Sequence, residues 1–330
     1  MVISKTPYRV SFFGGGTDYP SWYLENGGEV LSTTIDKYCY ITCRYLPPFF
    51  DHKYNIRWSK HETPNLLEEI QHPSIRSCLQ FLNINQGVSV AHDGDLPARS
   101  GMGSSSAFTV GMLNALYAMQ NLRITKDKLL QDSLYVEQCL LKETVGSQDQ
   151  AATVYGGLNH IEFKQSGCIS VNSLKIPSDV RANLQSHLML FFTGLQRNAS
   201  DVASEYVKGL NQKKVLLNDL RSMVTESTSI LQNGSSLDLF GKLLDQSWKI
   251  KRDLGSSISS PSIDQLYDAI ISAGAIGGKI TGAGGGGFLL VFAPPEVHEG
   301  ICQKLSNLLH VPFQFETLGS HFVSGDANKK

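Results

Sequence analysis

Between two stretches of regular pattern lies Leu96-Pro97-Ala98-Arg99-Ser100-Gly101-Met102-Gly103-Ser104-Ser105-Ser106-Ala107, which fits neither a helix nor a strand. Before it, Gly87 to His92 alternates Val88 and Val90 with small or polar residues, the period of a strand. After it, Ala107 to Met119 carries the apolar spacing of a helix. A glycine-rich strand-to-helix junction lets backbone N–H groups approach an anion. A helix starting near Ser104 adds unpaired donors and the positive end of its dipole. The serine hydroxyls are short, neutral and able to coordinate Mg²⁺. The same residues also make an ordinary turn and cap, so this segment alone leaves both readings open.

Two other glycine clusters narrow the choice. Gly278-Lys279-Ile280 lacks the Ser or Thr that must follow the lysine of a Walker A loop. Gly282-Ala283-Gly284-Gly285-Gly286-Gly287 matches GxGxxG in form. It runs into Phe288-Leu289-Leu290-Val291-Phe292, a strand, where a dinucleotide site needs a helix. So much glycine weakens regular structure, and close approach of backbone to a ligand or another loop accounts for it. The third cluster, Gly14-Gly15-Gly16, ends the short β-prone run Tyr8 to Phe13.

Composition excludes several classes. A formal net charge of −1 argues against a general nucleic-acid or membrane-surface binder, since both need basic excess. No apolar run reaches the roughly 20 residues that cross a bilayer, and no secretory signal is evident at the N-terminus. Six cysteines show no CxxC pair and no metal-ligand rhythm, as expected of small buried hydrophobes in a reduced, cytoplasmic protein. With 330 residues, two domains of ordinary size are expected. A boundary near residue 180 divides 1–180 from 181–330.

One carboxylate is misplaced. On a helix expected from Thr125 to Glu143, Leu130, Leu134, Glu137 and Leu141 project at ~0°, ~40°, ~−20° and ~20°. Glu137 thus sits in the middle of an apolar stripe, where an unpaired carboxylate is costly. It needs a cation or strong donors: an arginine in a structural salt bridge, or a magnesium ion. Asp149, in Gly146-Ser147-Gln148-Asp149-Gln150-Ala151, is either a helix cap or the acidic group that orients an acceptor hydroxyl in phosphoryl transfer.

Together these segments resemble the GHMP kinase superfamily, in three motifs that occur in the family's order. They are Lys5 to Pro20, with Gly14-Gly15-Gly16-Thr17-Asp18-Tyr19; the Leu96 to Ala107 loop, with Met102 where the family has leucine; and Gly278 to Gly287. The first motif looks like that of sugar-1-kinases. The string Ser11 to Pro20, Thr34-Ile35-Asp36-Lys37-Tyr38 and Gly284 to Leu290 are more similar still to bacterial D-glycero-D-manno-heptose 7-phosphate kinases.

The resemblance implies a two-domain α+β fold. Its N-terminal domain would be like the second domain of ribosomal protein S5 and its C-terminal domain ferredoxin-like. It further implies ATP and Mg²⁺ as cofactors and a small sugar phosphate as substrate, with no nucleic-acid or membrane partner. Gly101, Gly103, Ser104, Ser105 and Ser106 would cradle the triphosphate, and Ser105 with Glu137 would hold the metal. Asp149 and Arg9 match the catalytic aspartate and the basic residue beside it. Gly16, Thr17, Asp18, Gly284 and Gly285 would border the acceptor, with Asp18 on its hydroxyls. Arg99 departs from the family's usual small residue, and it and Arg197 are either solvated or contacts to an anionic substrate. A kinase for galactose, fucose or an N-acetylhexosamine, and a non-catalytic sugar sensor, are the alternatives.

Overall fold

The computed structural model describes residues 1–195, 207 and 209–323. Arg197 and the start of the expected helical region after Asn198 lie outside the described residues. The short β-prone run Tyr8 to Phe13 is the end of a longer strand, Val2–Phe13, which pairs antiparallel with Gly28–Tyr45. Both are buried over most of their length, so polar residues such as Ser4, Thr6, Ser32 and Thr33 are buried alongside the apolar ones. Around this pair a nine-stranded sheet forms among the described residues. Its main path runs His321–Phe322, Val2–Phe13, Gly28–Tyr45, Val88–Gly94, Tyr54–Arg57, His61–Glu62. The register jumps between Pro7, opposite Tyr38, and Arg9, opposite Thr34. Such a bulge re-aims the side chains beside it, and Arg9 emerges next to the phosphate-loop candidate.

The helix Ser104–Met119 is buried on nearly every side, as its all-round apolar composition requires. Gly111 lets it press onto the first strand: a Cβ there would lie 2.8 Å from Thr6 Oγ1. The Ser4 hydroxyl donates to the Gly111 carbonyl at 2.8 Å, fixing the helix along the strand.

A second, four-stranded antiparallel sheet has the order Leu309–His310, Leu188–Phe192, Phe288–Phe292, Gly277–Ile280. In chain order this is fourth, first, third, second, and helices fall between the first and second strands and between the third and fourth. That is the ferredoxin-like arrangement expected. The helices Lys214–Gln232, Leu237–Arg252 and Pro261–Ser272 belong to this region. The first of them also braces the other sheet, with Val224 and Leu217 against Gly14 and Gly16, and Arg221 Nε donating to Glu29 at 2.8 Å.

The last strands return to the first sheet: Phe315–Glu316 pairs with the second strand and His321–Phe322 with the first. One expectation needs correction. The helix expected from Thr125 to Glu143 is α-helical only over Lys126–Leu134, then widens to a π-turn over Tyr135–Leu140. Thr125 caps its start, accepting from Lys128 N. No described helix is long and apolar enough to cross a membrane.

Candidate active site

A cleft of about 970 Å³ opens where the two sheets' loops meet. Its centre is Arg9, 3% exposed. Nε and Nη2 donate to Oδ1 and Oδ2 of Asp149, each at 2.7 Å, and Nη1 donates to the Gly101 carbonyl at 2.7 Å. The guanidinium fork thus ties the first strand, the phosphate-loop candidate and the first turn of the helix Gln148–Tyr155 into one unit. Gly103, with φ 75°, turns the chain into the helix Ser104–Met119, whose N-cap has no side chain on its first N–H groups. A helix N-terminus without a side-chain cap, bordered by the cleft-lining residues Ser104, Ser105 and Ser106, is an anion receptor.

The glycine run within the third motif supports this loop. A Cβ on Gly101 would lie 2.6 Å from the Thr281 carbonyl oxygen, and one on Gly287 would lie 2.1 Å from that of Ser100. Backbone meets backbone there, which only glycine allows. Gly284 and Gly285, however, do not border the cleft. The Gly285 N–H donates to Ile258 O at 2.8 Å and Gly284 packs on the same residue, while Gly282 and Ala283 form the cleft wall.

Asp18 is 1% exposed yet lines the cleft. Its carboxylate accepts from Gly16 N at 3.0 Å and Gln148 N at 3.4 Å. Burial, then the negative charge of Asp149, raises its pKa. Thr17 is different. Its hydroxyl donates to Gly14 O and Glu29 O and accepts from Glu29 N, and it lies outside the cleft. Thr17 therefore holds the turn, and Gly16 and Asp18 are the members of the motif that line the cleft.

Glu137 is fully buried, as its place in the apolar stripe requires. No arginine meets it among the described residues. Ser106 Oγ donates to Oε2 at 2.9 Å, Gln150 Nε2 donates to the same oxygen, and Oε1 has no partner. Burial pushes its pKa up to about 7, with hydroxyl and amide donors opposing. The expected metal pair is split: Ser105 is exposed on the cleft wall, and Ser106 is the hydroxyl on Glu137. One carboxylate with an unused oxygen and two hydroxyls still suits Mg²⁺, which takes most of its ligands from phosphate and water.

Two features of the cleft, an aromatic end and Lys251, were not found in the sequence. Trp58, His72, His92 and Phe108 form an aromatic end, with His72 stacked on Phe108 at 4.5 Å and edge-on to Trp58 at 4.8 Å. Burial, and the neighbouring His92, push the His72 pKa down to about 4, so the ring is neutral near pH 7. Lys251 enters the cleft from the helix Leu237–Arg252 and donates to the Gly282 carbonyl. Its signal was present, because Phe240, Leu243, Leu244, Ser247, Trp248 and Lys251 follow the helical period. Lys279, the lysine of the failed Walker pattern, is buried and donates to Phe12 O at 2.8 Å, binding the second sheet to the first strand. Arg99 lines the cleft and Lys37 pairs with its neighbour Asp36 at 3.1 Å.

An anion receptor, a carboxylate held by a guanidinium and a second buried carboxylate facing the cleft are parts that phosphoryl transfer uses. Sequence profiles of the GHMP kinases N terminal domain and the GHMP kinases C terminal region match residues 68–157 and 228–310, together just over half of the chain. The chain belongs to the GHMP kinases. D-glycero-alpha-D-manno-heptose 7-phosphate kinase of Campylobacter jejuni is 27% identical over 305 residues, spanning 89% of this chain and 90% of the relative. L-fucokinase/L-fucose-1-P guanylyltransferase of Bacteroides fragilis is 25% identical, spanning 89% of this GHMP kinase but 34% of that longer protein. A D-glycero-D-manno-heptose 1-phosphate kinase from Bacteroides thetaiotaomicron shares the fold with TM-score 0.82 at 23% identity, over 99% of this chain and all of the other. Galactokinase of Lactococcus lactis does so with TM-score 0.72 at 16% identity, over 98% and 94%.

Proposed function

We propose that this sugar kinase transfers the γ-phosphoryl group of ATP to the anomeric C1 hydroxyl of D-glycero-D-manno-heptose 7-phosphate. The product would be heptose 1,7-bisphosphate, serving synthesis of nucleotide-activated heptose and surface polysaccharide in the cytoplasm. The observation that carries the reading is the Arg9–Asp149 fork set against the N-terminus of Ser104–Met119. The similarity to the Campylobacter heptose kinase over nearly the whole length supports the choice of sugar.

In this reading Gly101, Gly103 and Ser104 cradle the phosphates, and the aromatic end beside His72 and Phe108 receives the base. Asp18 accepts from sugar hydroxyls. Asp149 takes the C1 hydroxyl proton as that oxygen bonds to the γ-phosphorus and the bond to the ADP oxygen breaks. Arg9 keeps the Asp149 carboxylate aimed and adds positive charge beside the phosphates. Ser105, Ser106 and Glu137 would hold magnesium, which neutralises phosphate charge when bound.

An ADP-release assay across sugars and sugar phosphates tests the assignment. Heptose 7-phosphate should give the highest kcat/KM, and preference for an unphosphorylated hexose would overturn the heptose while leaving the kinase. The similarity to fucokinase favours another sugar-1-kinase as the second reading.

A further inference from the structure

Lys251 is a cation the phosphoryl-transfer reading does not yet use. It is 5% exposed and lines the cleft. Among the described residues no carboxylate is within ion-pairing distance of its ammonium, and its one hydrogen-bond partner is the Gly282 carbonyl. An ammonium has three protons to donate, so two remain for the cleft. Gly282 in turn packs directly on Gly101, where an added Cβ would lie 2.6 Å from Gly101 Cα. Arg9 reaches the same Gly101 from the other sheet. The two cations therefore converge on the phosphate loop, one from each sheet's own elements.

Retaining a buried cation without an ion pair is costly. Lys251 sits in the last turn of its helix, where the dipole favours positive charge. The charged groups that face it are Arg9, Asp18, Asp149 and Lys279. Burial, then Arg9, pushes its pKa down to about 8, while Asp18 and Asp149 oppose. A protein that needed only to fix the Gly282 carbonyl could do so with a neutral donor.

We propose that Lys251 is a second cationic catalytic residue, which donates to an oxygen of the phosphoryl group as it passes from the nucleotide to the acceptor hydroxyl. The inference rests on the kinase reading but not on which sugar accepts. Lys251 stays an ammonium throughout. The acceptor oxygen bonds to phosphorus, the bond to the ADP oxygen breaks with its electron pair, and the acceptor proton goes to Asp149.

The test compares wild type, Lys251→Met and, as a surface control, Lys249→Met. With the acceptor active in wild type, Lys251→Met should lower kcat by ~10²–10³-fold, the loss typical of one transition-state donor. KM for ATP should stay within about threefold and Tm should not fall, since a buried charge has been removed. The alkaline limb of kcat/KM near about pH 8 should vanish with it. A second arm needs no acceptor. Titration with Mg-ADP plus fluoroaluminate, a mimic of the transferring group, should weaken at least tenfold in Lys251→Met, with Mg-ADP alone unchanged.

A wild type that binds this complex yet phosphorylates no sugar would overturn the sugar-kinase reading and still score Lys251. For a Met variant that folds poorly, Lys251→Cys treated with 2-bromoethylamine rebuilds an ammonium and should recover at least tenfold in kcat. Turnover within threefold of wild type and unchanged fluoroaluminate binding in Lys251→Met would overturn the proposal. So would lowered Tm without recovery on aminoethylation, which marks a strut for Gly282.

Discussion

Glu137 and Lys251 are both charges on the apolar face of a helical segment, yet the two regions hold them differently. Around Glu137 the donors are neutral, the Ser106 hydroxyl and the Gln150 amide sharing one oxygen and leaving the other unpaired, and Glu143 is the charge that acts on it. Around Lys251 the neighbours are charged, with Arg9 opposing it and Asp18 and Asp149 supporting it. Glu137 lies behind the cleft wall while Lys251 reaches through it. Burial disfavours the charge of both, and neither has an opposite charge within ion-pairing distance among the described residues. The lesson is that burial alone did not tell a site residue from its support. The neighbours did.

The largest effect should come from Asp149, the group that lies on the Lys251 side of this contrast. Asp149→Ala should lower kcat by ~10²–10⁴-fold in the ADP-release assay, with ADP affinity preserved. Unchanged turnover would remove it from the chemistry.

A second prediction uses opposite signs. Glu137 has its folded-state pKa raised from 4.5 to about 7, so it costs stability when ionised. Its contribution makes the protein less stable as pH rises from about 4.5 to about 7, by on the order of 3 kcal/mol. Lys251, lowered from 10.5 to about 8, makes the protein more stable as pH rises between those values. Glu137→Gln should therefore raise Tm above neutral pH and not near pH 4. It should also shift the Mg²⁺ concentration for half-maximal activity upward by ~10-fold, the usual size of a lost metal contact. A uniform Tm change at all pH values would break the comparison.

The smallest effect concerns Thr17. Thr17→Val should leave KM for the sugar within about twofold and cost ~1–3 kcal/mol in denaturant unfolding, because Glu29 N loses a buried acceptor. A large KM change with intact stability would return Thr17 to the acceptor site.

Much of this was legible in the sequence because local patterns carried it. The strand–loop–helix junction at Gly101 to Ala107, the buried place of Glu137 and the pairing of Arg9 with Asp149 followed from glycine, periodicity and family resemblance. The π-turn at Tyr135–Leu140 was not legible, since a widened turn has no composition of its own. Thr17 was placed with the acceptor by family resemblance, and the fold adds that its hydroxyl is bonded within the turn. Gly284 and Gly285 were assigned to the acceptor by family resemblance, whereas in the fold they pack on the loop around Ile258, which no local signal links to them. The aromatic end draws Trp58, His72, His92 and Phe108 from four separate segments. Only the fold brings them together.

The return of His321–Phe322 to the first strand bears on how the protein comes to fold. Residues 4 and 5 pair with 322 and 321, and Val323 N donates to Ile3 O. The strand that carries Arg9 therefore leaves the ribosome long before its edge partner does, and keeps an open edge through most of synthesis. Pairings of such sequence separation are slow to form, and an unpaired edge invites other chains. Solubility during synthesis, more than final stability, is where a truncation before residue 321 would be felt first.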